Sequence, residues 1–565
     1  MRDRLSGLGI CQKRNITLGI ILLTTGLQNL WVYYHQIKLR GDYGWDSAAH
    51  AMWGVTIYQD LISGRWLSLL FDTYRQVYWP FMHSWFLAGS MLFLGPKEEA
   101  LRLVSLAAFG FTAFVLGLSA WKYAIGSRWL SATVTVALWL TATEFVTWFA
   151  ADVVIESLAI AMTGITIWFI ARSAEGGDPN IWIFAGIFGM LTYFTKTDYG
   201  IIVLMASIVE MATQSRSEAR FLFKRKLFSF LTPVISMGVI WFAYLPKIPA
   251  TISALVNRPQ GPYQFSIAGL LYHFKMLAHW CGSPWLLILF GFCFIFAIVW
   301  DWKLPLIRIL VIYTSIALVL HSLSQTKDSK HITKLLPWIL LIMGLQAGKA
   351  WTISAKKKIG PVIKIGFLSI LIGFGIIRLQ SFLSETAQPP MSNLENVRQD
   401  ILSRINSNRS HLMLGTFGEL SPDLIRWKLF MARHDCIFEP LDDKKLKFMK
   451  IIHSLKKKFP IAAFLEKEKS ELVWRVNFPS KKSLSTKISP IEAMYCLIQS
   501  EQPERILVIE MSPYSAWSSD DYQKYHVNGG SFLPVLSHFP GYKQTDKVSY
   551  LDKGINLLVF DLDLK

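Results

Sequence analysis

The sequence predicts a polytopic α-helical membrane protein with a core of about eleven transmembrane helices and a C-terminal soluble α/β domain. Three observations carry that reading. Hydrophobic residues make up 52% of the 565 and only 17% are charged, well below the charge of an ordinary soluble chain. Many segments reach the roughly 20 apolar residues that a hydrocarbon core demands. After Leu379 the long apolar runs stop, and short strand-like and helix-like stretches take over.

The basic stretch Met1 to Arg14 lacks a small-residue cleavage site before the next loop, so Ile16 to Tyr34 reads as a retained signal anchor. Further spans are expected at 103–121, 129–147, 154–171, 181–195, 199–213, 228–246, 285–300, 305–322, 335–348 and 361–378. Lys and Arg concentrate in alternate loops: Arg2, Arg4, Lys13 and Arg14; Lys122 and Arg128; Arg172; Arg216, Arg220 and Lys224 to Lys226; Lys303 and Arg308; Lys349 to Lys364. The positive-inside rule puts these loops and the N-terminus in the cytoplasm, and the C-terminal domain outside. The compact loops carry no eukaryotic targeting signal, which fits a bacterial inner membrane. Loop charge also accounts for the net +19, so no nucleic-acid partner is expected. The 22 tryptophans suit interfacial belts. Five cysteines are too few for a disulfide framework; Cys436 and Cys496 are either a pair in an oxidising compartment or two free thiols.

The first outer loop, residues 35–97, is too long for a simple turn, and loops of that length carry function. Its apolar positions Ala49, Met52, Trp53, Ile57 and Leu61 predict a helix from Asp46, an N-cap, to Gly64, a C-terminal stop. Phe81 to Leu94 reads as a short helix lying in the membrane interface.

Residues 1–380 thus form the membrane domain, 381–410 a linker and helix around Gln388-Pro389-Pro390, and 411–565 the outer domain. Strands are expected at His411–Gly415, Leu472–Phe478, Arg505–Met511 and Ile555–Phe560. Helices should start at Ser421-Pro422-Asp423 and at the capping box Ser489-Pro490-Ile491-Glu492. Asp552-Lys553-Gly554 reads as a hairpin turn joining the last two strands. The domain shows no Gly-rich phosphate loop and no metal-ligand spacing, and the chain shows no repeat of fixed period.

Candidate chemistry gathers at the outer ends of the spans. Asp42, Asp46 and His50 are spaced by four, so Asp46 and His50 share a helix face. A carboxylate there is either a general base toward an acceptor hydroxyl or amine, or merely a helix cap. His83, after Tyr78-Trp79-Pro80-Phe81, is either functional or a structural histidine at a helix start. Asp152 and Glu156 adjoin an otherwise apolar span, where carboxylates are costly and so mark function, unless they end a helix at the water boundary. Lys196 either holds a lipid-linked phosphate as a point charge or pairs with Asp198. Lys330 and His331 form a cationic outer cluster that attracts phosphate, or a solvated loop.

In their order these features resemble the GT-C class of polyprenyl-phosphate-sugar-dependent glycosyltransferases, within it the protein O-mannosyltransferase and lipid A aminoarabinose transferase superfamily. The matching elements are Trp45-Asp46-Ser47-Ala48-Ala49-His50, Tyr78-Trp79-Pro80-Phe81, Arg102-Leu103-Val104-Ser105, Asp152 and Phe194-Thr195-Lys196. Together they span roughly residues 15–350. Ser47 stands where relatives carry a second acid, and Lys330-His331 where they often have Arg and an aromatic.

The resemblance implies a GT-C-like core, a polyprenyl-phosphate sugar donor, a lipid, glycan or protein acceptor, and inversion at the anomeric carbon. Asp46 and Asp152 are the expected catalytic carboxylates. Lys196, Lys330 and His331 are expected to bind the donor phosphate, and Asp42, His50, His83 and Glu156 to position substrate. No cofactor is expected; a divalent ion between Asp46 and Asp152 is conceivable but has no support in the sequence. Rival readings are a transporter or flippase of a lipid-linked saccharide, which would place charges at the bilayer midplane, and a non-catalytic assembly protein that keeps the fold.

Overall fold

In a computed structural model the chain is mainly helical. The structure describes residues 10–354 apart from short stretches (41–44, 75, 77–79, 177, 216–219, 244–246, 249–250, 253–262, 264, 281–283 and 325–328), then parts of 373–386, residues 395–404, and the strands of the C-terminal region with a few flanking residues. By its internal packing the chain divides into two compact units: Met1–Arg40 with Thr73–Ser90 and Glu98–Pro389, and Gly41–Asp72 with Met91–Lys97 and Pro390–Lys565.

The first unit holds the membrane helices. They are α1 (Ile10–Val32, continued by a π turn Tyr33–Ile37), α5 (Glu98–Lys122), α6 (Arg128–Leu140), α7 (Glu156–Gly176), α8 (Ile181–Thr195), α9 (Thr197–Ser215), α10 (Arg220–Phe242), α12 (Pro284–Asp301), α13 (Pro305–Leu323) and α14 (Leu336–Ser354). These coincide with ten expected spans; most of 361–378 lies outside the described residues. Among the described residues six helices are long and apolar enough to cross a bilayer, or seven if α6 and the bent segment Thr143–Ala150 make one span. Others, such as α8, are shorter than the expected core of about eleven full spans requires. A helix the pattern missed, α11 (Ile267–Trp280), precedes α12. The outward faces of α1, α10 and α12 expose Leu23, Leu27, Phe228, Val239, Ile240, Phe292 and Val299. Patches of that size are lipid-facing in a membrane protein and a liability in water.

Inside, aromatic and small residues do the packing. Phe109 stacks on Trp139 at 4.9 Å and on Phe145 at 5.8 Å, and the Trp139 indole donates to the Phe109 carbonyl at 3.2 Å. Gly344 and Gly348, one turn apart on α14, face Ser131 and Thr135 of α6. A Cβ at Gly344 would stand 2.8 Å from the Ser131 carbonyl, so only glycine lets the two backbones approach, the small-xxx-small logic of membrane helices. Two ion pairs link helices: Arg308 forks onto Glu210 at 2.8 and 3.0 Å, and Lys349 meets Asp301 at 2.6 Å.

The long loop 35–97 contains three helices, α2 (Trp45–Ile62), α3 (Trp66–Tyr74) and α4 (Met82–Leu94). Gly64, at φ +64°, stops α2 as expected, since a left-handed residue is cheap only for glycine. Asp46 falls inside the first turn of α2, one residue after its start, rather than at the cap.

In the second unit a five-stranded sheet has the order β4 (Val476–Asn477), β1 (His411–Leu414), β5 (Arg505–Met511), β7 (Ile555–Leu562), β6 (Tyr542–Tyr550). The first three strands run parallel, and β7 and β6 pair antiparallel. Buried Ile506, Val508 and Leu558 form its core. The expected strand Leu472–Phe478 is two short pieces: Val473–Trp474 pairs with Ile437–Phe438, and β4 joins the main sheet. Cys436, Cys496, the helix starts at Ser421 and Ser489 and the turn at Asp552 lie outside the described residues, although Tyr550 and Ile555 do face each other across β6 and β7.

Candidate active site

Two charge clusters form in the first unit, at the end of the helices where the chain enters α7 and α9. The first is built around Asp152. The segment before α7 has no regular hydrogen bonding of its own and is pinned by side chains. Ser157 donates to the Phe149 carbonyl at 2.9 Å, and Ser105 to the Val154 carbonyl at 3.1 Å. Asp152 is buried, accepts the Val153 amide at 2.8 Å and meets Arg40 at 3.2 Å. Arg102, fully buried in α5, approaches Asp152 and Glu98 at 4.0 Å each and donates to the Arg40 carbonyl at 3.3 Å. Asp152 is thus an anion clamped by two guanidiniums.

The second cluster lies at the break between α8 and α9. Lys196 adopts an extended conformation that ends α8, and Thr197 begins α9 at once. This reversal sends neighbouring side chains apart. Lys196 forms an ion pair with Glu156 of α7, while Asp198 meets Lys334 at 2.7 Å. The Lys196–Asp198 pairing that their spacing allowed is therefore not formed. Lys334 belongs to the 3-10 turn Ser329–Lys334 that leads into α14. Buried Tyr199 sits between the two ammonium groups, 5.6 Å from Lys196 and 5.2 Å from Lys334, and hydrogen-bonds Thr333 through its hydroxyl. Thr333 in turn donates to the Lys330 carbonyl at 2.6 Å, which holds the 3-10 turn closed.

Burial disfavours the charged Lys196, but Glu156 and Asp198 outweigh it and hold its pKa above the ordinary lysine value. For Lys334 burial wins over the attraction of Asp198, and its pKa lies below the ordinary value. Lys330 is half-buried, and its charge acts on Lys196. Among the described residues, Lys196, Lys330 and Lys334 thus gather near Glu156 and Asp198.

Of the expected residues, Glu156, Lys196 and Lys330 come together here, and His331 joins the same 3-10 turn. Asp152 anchors the neighbouring cluster. His83 is buried in the first turn of α4. His50 is buried on α2, one turn beyond Asp46, and belongs to the second unit. Asp42 and the Asp46 side chain lie outside the described residues. Sequence reasoning passed over Arg40, Tyr199, Lys334, His273 and His321. Among the described residues no group of three or more His, Cys, Asp or Glu has the geometry to hold a metal ion.

No family model matches the chain, and no curated protein matches it. Solved structures do. ArnT from Cupriavidus metallidurans bound to undecaprenyl phosphate superposes with a TM-score of 0.55, covering 97% of this chain and 98% of that one at 13% identity. The apo state of the same protein gives a TM-score of 0.54 over 98% and 99%, again at 13% identity. The likeness is one of fold: the chain has an ArnT-like fold, a polytopic helical core followed by a C-terminal region that holds a small sheet.

Proposed function

We propose that the chain is a membrane glycosyltransferase, moving a sugar from a polyprenyl-phosphate donor to a lipid, glycan or protein acceptor at the outer face of a bacterial inner membrane. One observation carries the reading: Lys196, Lys330 and Lys334 converge from two inter-helix turns beside Glu156 and Asp198. A converging array of lysines suits a phosphate leaving group, because negative charge grows on that phosphate as the glycosidic bond breaks. The likeness to a fold solved with undecaprenyl phosphate supports the same ligand class.

In this reading Asp46 removes the proton from the acceptor hydroxyl or amine. The acceptor atom attacks the anomeric carbon, the carbon–oxygen bond to phosphate breaks with inversion, and the lysines neutralise the departing lipid phosphate. Asp152 acts as a fixed anion that orders Arg40 and Arg102, and so sets the shape of the neighbouring backbone. Lipid tails are held between the helices, the N-terminus is cytoplasmic and the C-terminal domain extracytoplasmic.

The test is transfer by the purified protein from a panel of polyprenyl-phosphate sugars, with Asp46→Asn alongside. Transfer lost in a variant that still binds donor supports the enzyme and its base. Donor binding without transfer in the native protein, over a broad acceptor panel, would replace this reading with the transporter or the inactive scaffold.

A further inference from the structure

Three adjacent basic residues lie near the start of α10, and the helix sends them to different faces. Lys226 turns inward: it is buried and donates to the Gln214 side chain of α9 at 3.2 Å. Lys224 and Arg225 are exposed. Phe221, Arg225, Phe228, Thr232, Ile235 and Val239 are exposed too, and their alternate steps of four and three trace one stripe along the helix. Lys224, four residues before Phe228, borders the same stripe. Phe221 is 77% exposed and Phe228 74%, so no helix covers either ring. On the opposite face Phe230 is buried against Gly186 of α8.

The open face of α10 lies against lipid. Phe221–Phe242 has the length and hydropathy of a span, yet only 22% of its apolar stretch is buried. From Phe228 the stripe carries no charge as far as Val239, about 16 Å further along the helix. The two cations stand one turn, about 5 Å, before Phe228, where hydrocarbon gives way to headgroups. A second turn at that end of the bundle agrees. Trp302 and Lys303, between α12 and α13, are exposed. Arg308, just beyond them, pairs with Glu210 of α9, one turn from the Gln214 that Lys226 holds. Rings and cations at one level in separate turns mark an interfacial belt.

The surrounding sequence has the same sign. Residues 216–226 hold five basic residues against Glu218, and no further acidic residue occurs before Asp301. A phospholipid complements the whole surface: its phosphate meets the cations and its acyl chains meet the apolar stripe. A soluble anion would satisfy only the first, and an acidic protein would leave the stripe uncovered.

We propose that Phe221, Lys224, Arg225 and Phe228 form a binding site for an anionic glycerophospholipid, its phosphate held between Lys224 and Arg225 and its acyl chains lying along α10 past Ile235 and Val239. No covalent bond forms or breaks. The inference needs only that the chain crosses a membrane, and it does not rest on the glycosyltransferase reading.

Photolabelling of the full-length protein tests it, in nanodiscs of equal parts phosphatidylglycerol and phosphatidylcholine. One lipid or the other carries a diazirine in its acyl chain near the glycerol, and adducts are mapped by peptide mass spectrometry. One Lys or Arg at a charged membrane surface is worth about fivefold, so residues 220–232 should favour phosphatidylglycerol by about five- to thirtyfold. Raising salt from about 0.1 to 1 M shortens the screening length from about 10 to 3 Å and should remove most of that preference. In Lys224→Gln/Arg225→Gln it should fall below about twofold, while Lys303→Gln, in the other turn, should keep it. Equal labelling by the two lipids in the native protein overturns the proposal without any variant. A preference that survives high salt in the native protein overturns it as well, whether or not the double variant folds. Preference unchanged in a folded double variant assigns the lipid to other charges and overturns it too. Loss of the phosphatidylglycerol adducts on adding one equivalent of undecaprenyl phosphate would give the site to the polyprenyl lipid and overturn the glycerophospholipid assignment.

Discussion

Lys334 meets Asp198 at 2.7 Å, tying the turn before α14 to the first turn of α9. The Lys334 side chain is almost fully buried, whereas Asp198 keeps about a quarter of its surface. The pair therefore joins a desolvated cation to a partly wet anion, and the cation depends on the anion.

Asp198→Asn leaves that ammonium buried without its counter-charge. Removing one partner of a buried pair costs about 3–5 kcal/mol, and the residual exposure of Asp198 argues for the low end. The thermal midpoint of the protein in detergent should drop. Adding Lys334→Met should recover much of the loss, since an apolar isostere needs no partner. A single variant as stable as the native protein would show that the pair does not tie the two helices.

Lys196 and Glu156 make the opposite prediction for ligand binding. Lys196→Ala removes a charged donor from the phosphate, worth about 1.5–3 kcal/mol, or roughly 10- to 100-fold in affinity for undecaprenyl phosphate. Glu156→Gln removes the anion that competes with phosphate for the same ammonium, and binding should tighten a few-fold. Equal weakening in both variants, measured by calorimetry, would mean that the ion pair acts as a structural unit and not as a ligand site.

How much of this was legible in the sequence depends on distance along the chain. Local signals read well. The strand Arg505–Met511 and the stop at Gly64 fall where periodicity and glycine put them. Pairings did not read. Lys196 and Asp198 are two residues apart and look like partners, yet the extended backbone at Lys196 separates them and their true partners come from α7 and the turn before α14. His273, His321 and His331 are single histidines in separate segments, and only the packing of α11 on α13 and the 3-10 turn assembles them. Strand β6 was signalled only by the turn expected at Asp552, because its mostly exposed and polar residues, Lys543 to Lys547, carry no alternation that would give its bounds. Nor could composition foretell that residues 41–72 group with the C-terminal region.

The α6–α14 contact offers a test of the membrane core that is independent of ligand. Gly344→Val would drive a branched side chain into the Thr135 side chain and the backbone carbonyl of Ser131, which Thr135 itself hydrogen-bonds on α6. Overpacking of this kind costs about 1–3 kcal/mol, and here the helices can relieve it only by separating. Midpoint and yield of folded protein should both fall, whereas Gly19→Val on α1, where nothing lies within 4 Å, should be tolerated. Comparable losses at the two positions would argue against close packing at Gly344.

The helices of loop 35–97 carry a pH response of their own. Asp60 of α2 and Asp72 of α3 are both buried, and Arg65 reaches Asp60 at 2.9 Å. One guanidinium cannot serve two desolvated carboxylates, so the pair retains a proton. Burial first, then the charge and hydrogen bond of Asp72, push the Asp60 carboxyl up to about 8, with Arg65 and Ser68 pulling the other way. In the unfolded chain the same carboxyl ionises near pH 4. Below that pH folded and unfolded states are protonated alike and the contribution to stability is fully present. As pH rises the unfolded state gives up its proton first, so stability drains away until the folded carboxyl ionises too, near pH 8. Hydrogen exchange of residues 45–74, corrected for its intrinsic pH dependence, should therefore report looser helices at pH 8.5 than at pH 6. Asp60→Asn removes the titrating group and should flatten that difference, while Asp72→Asn should shift the transition to lower pH. A difference that persists in full in Asp60→Asn would place the titration on another group.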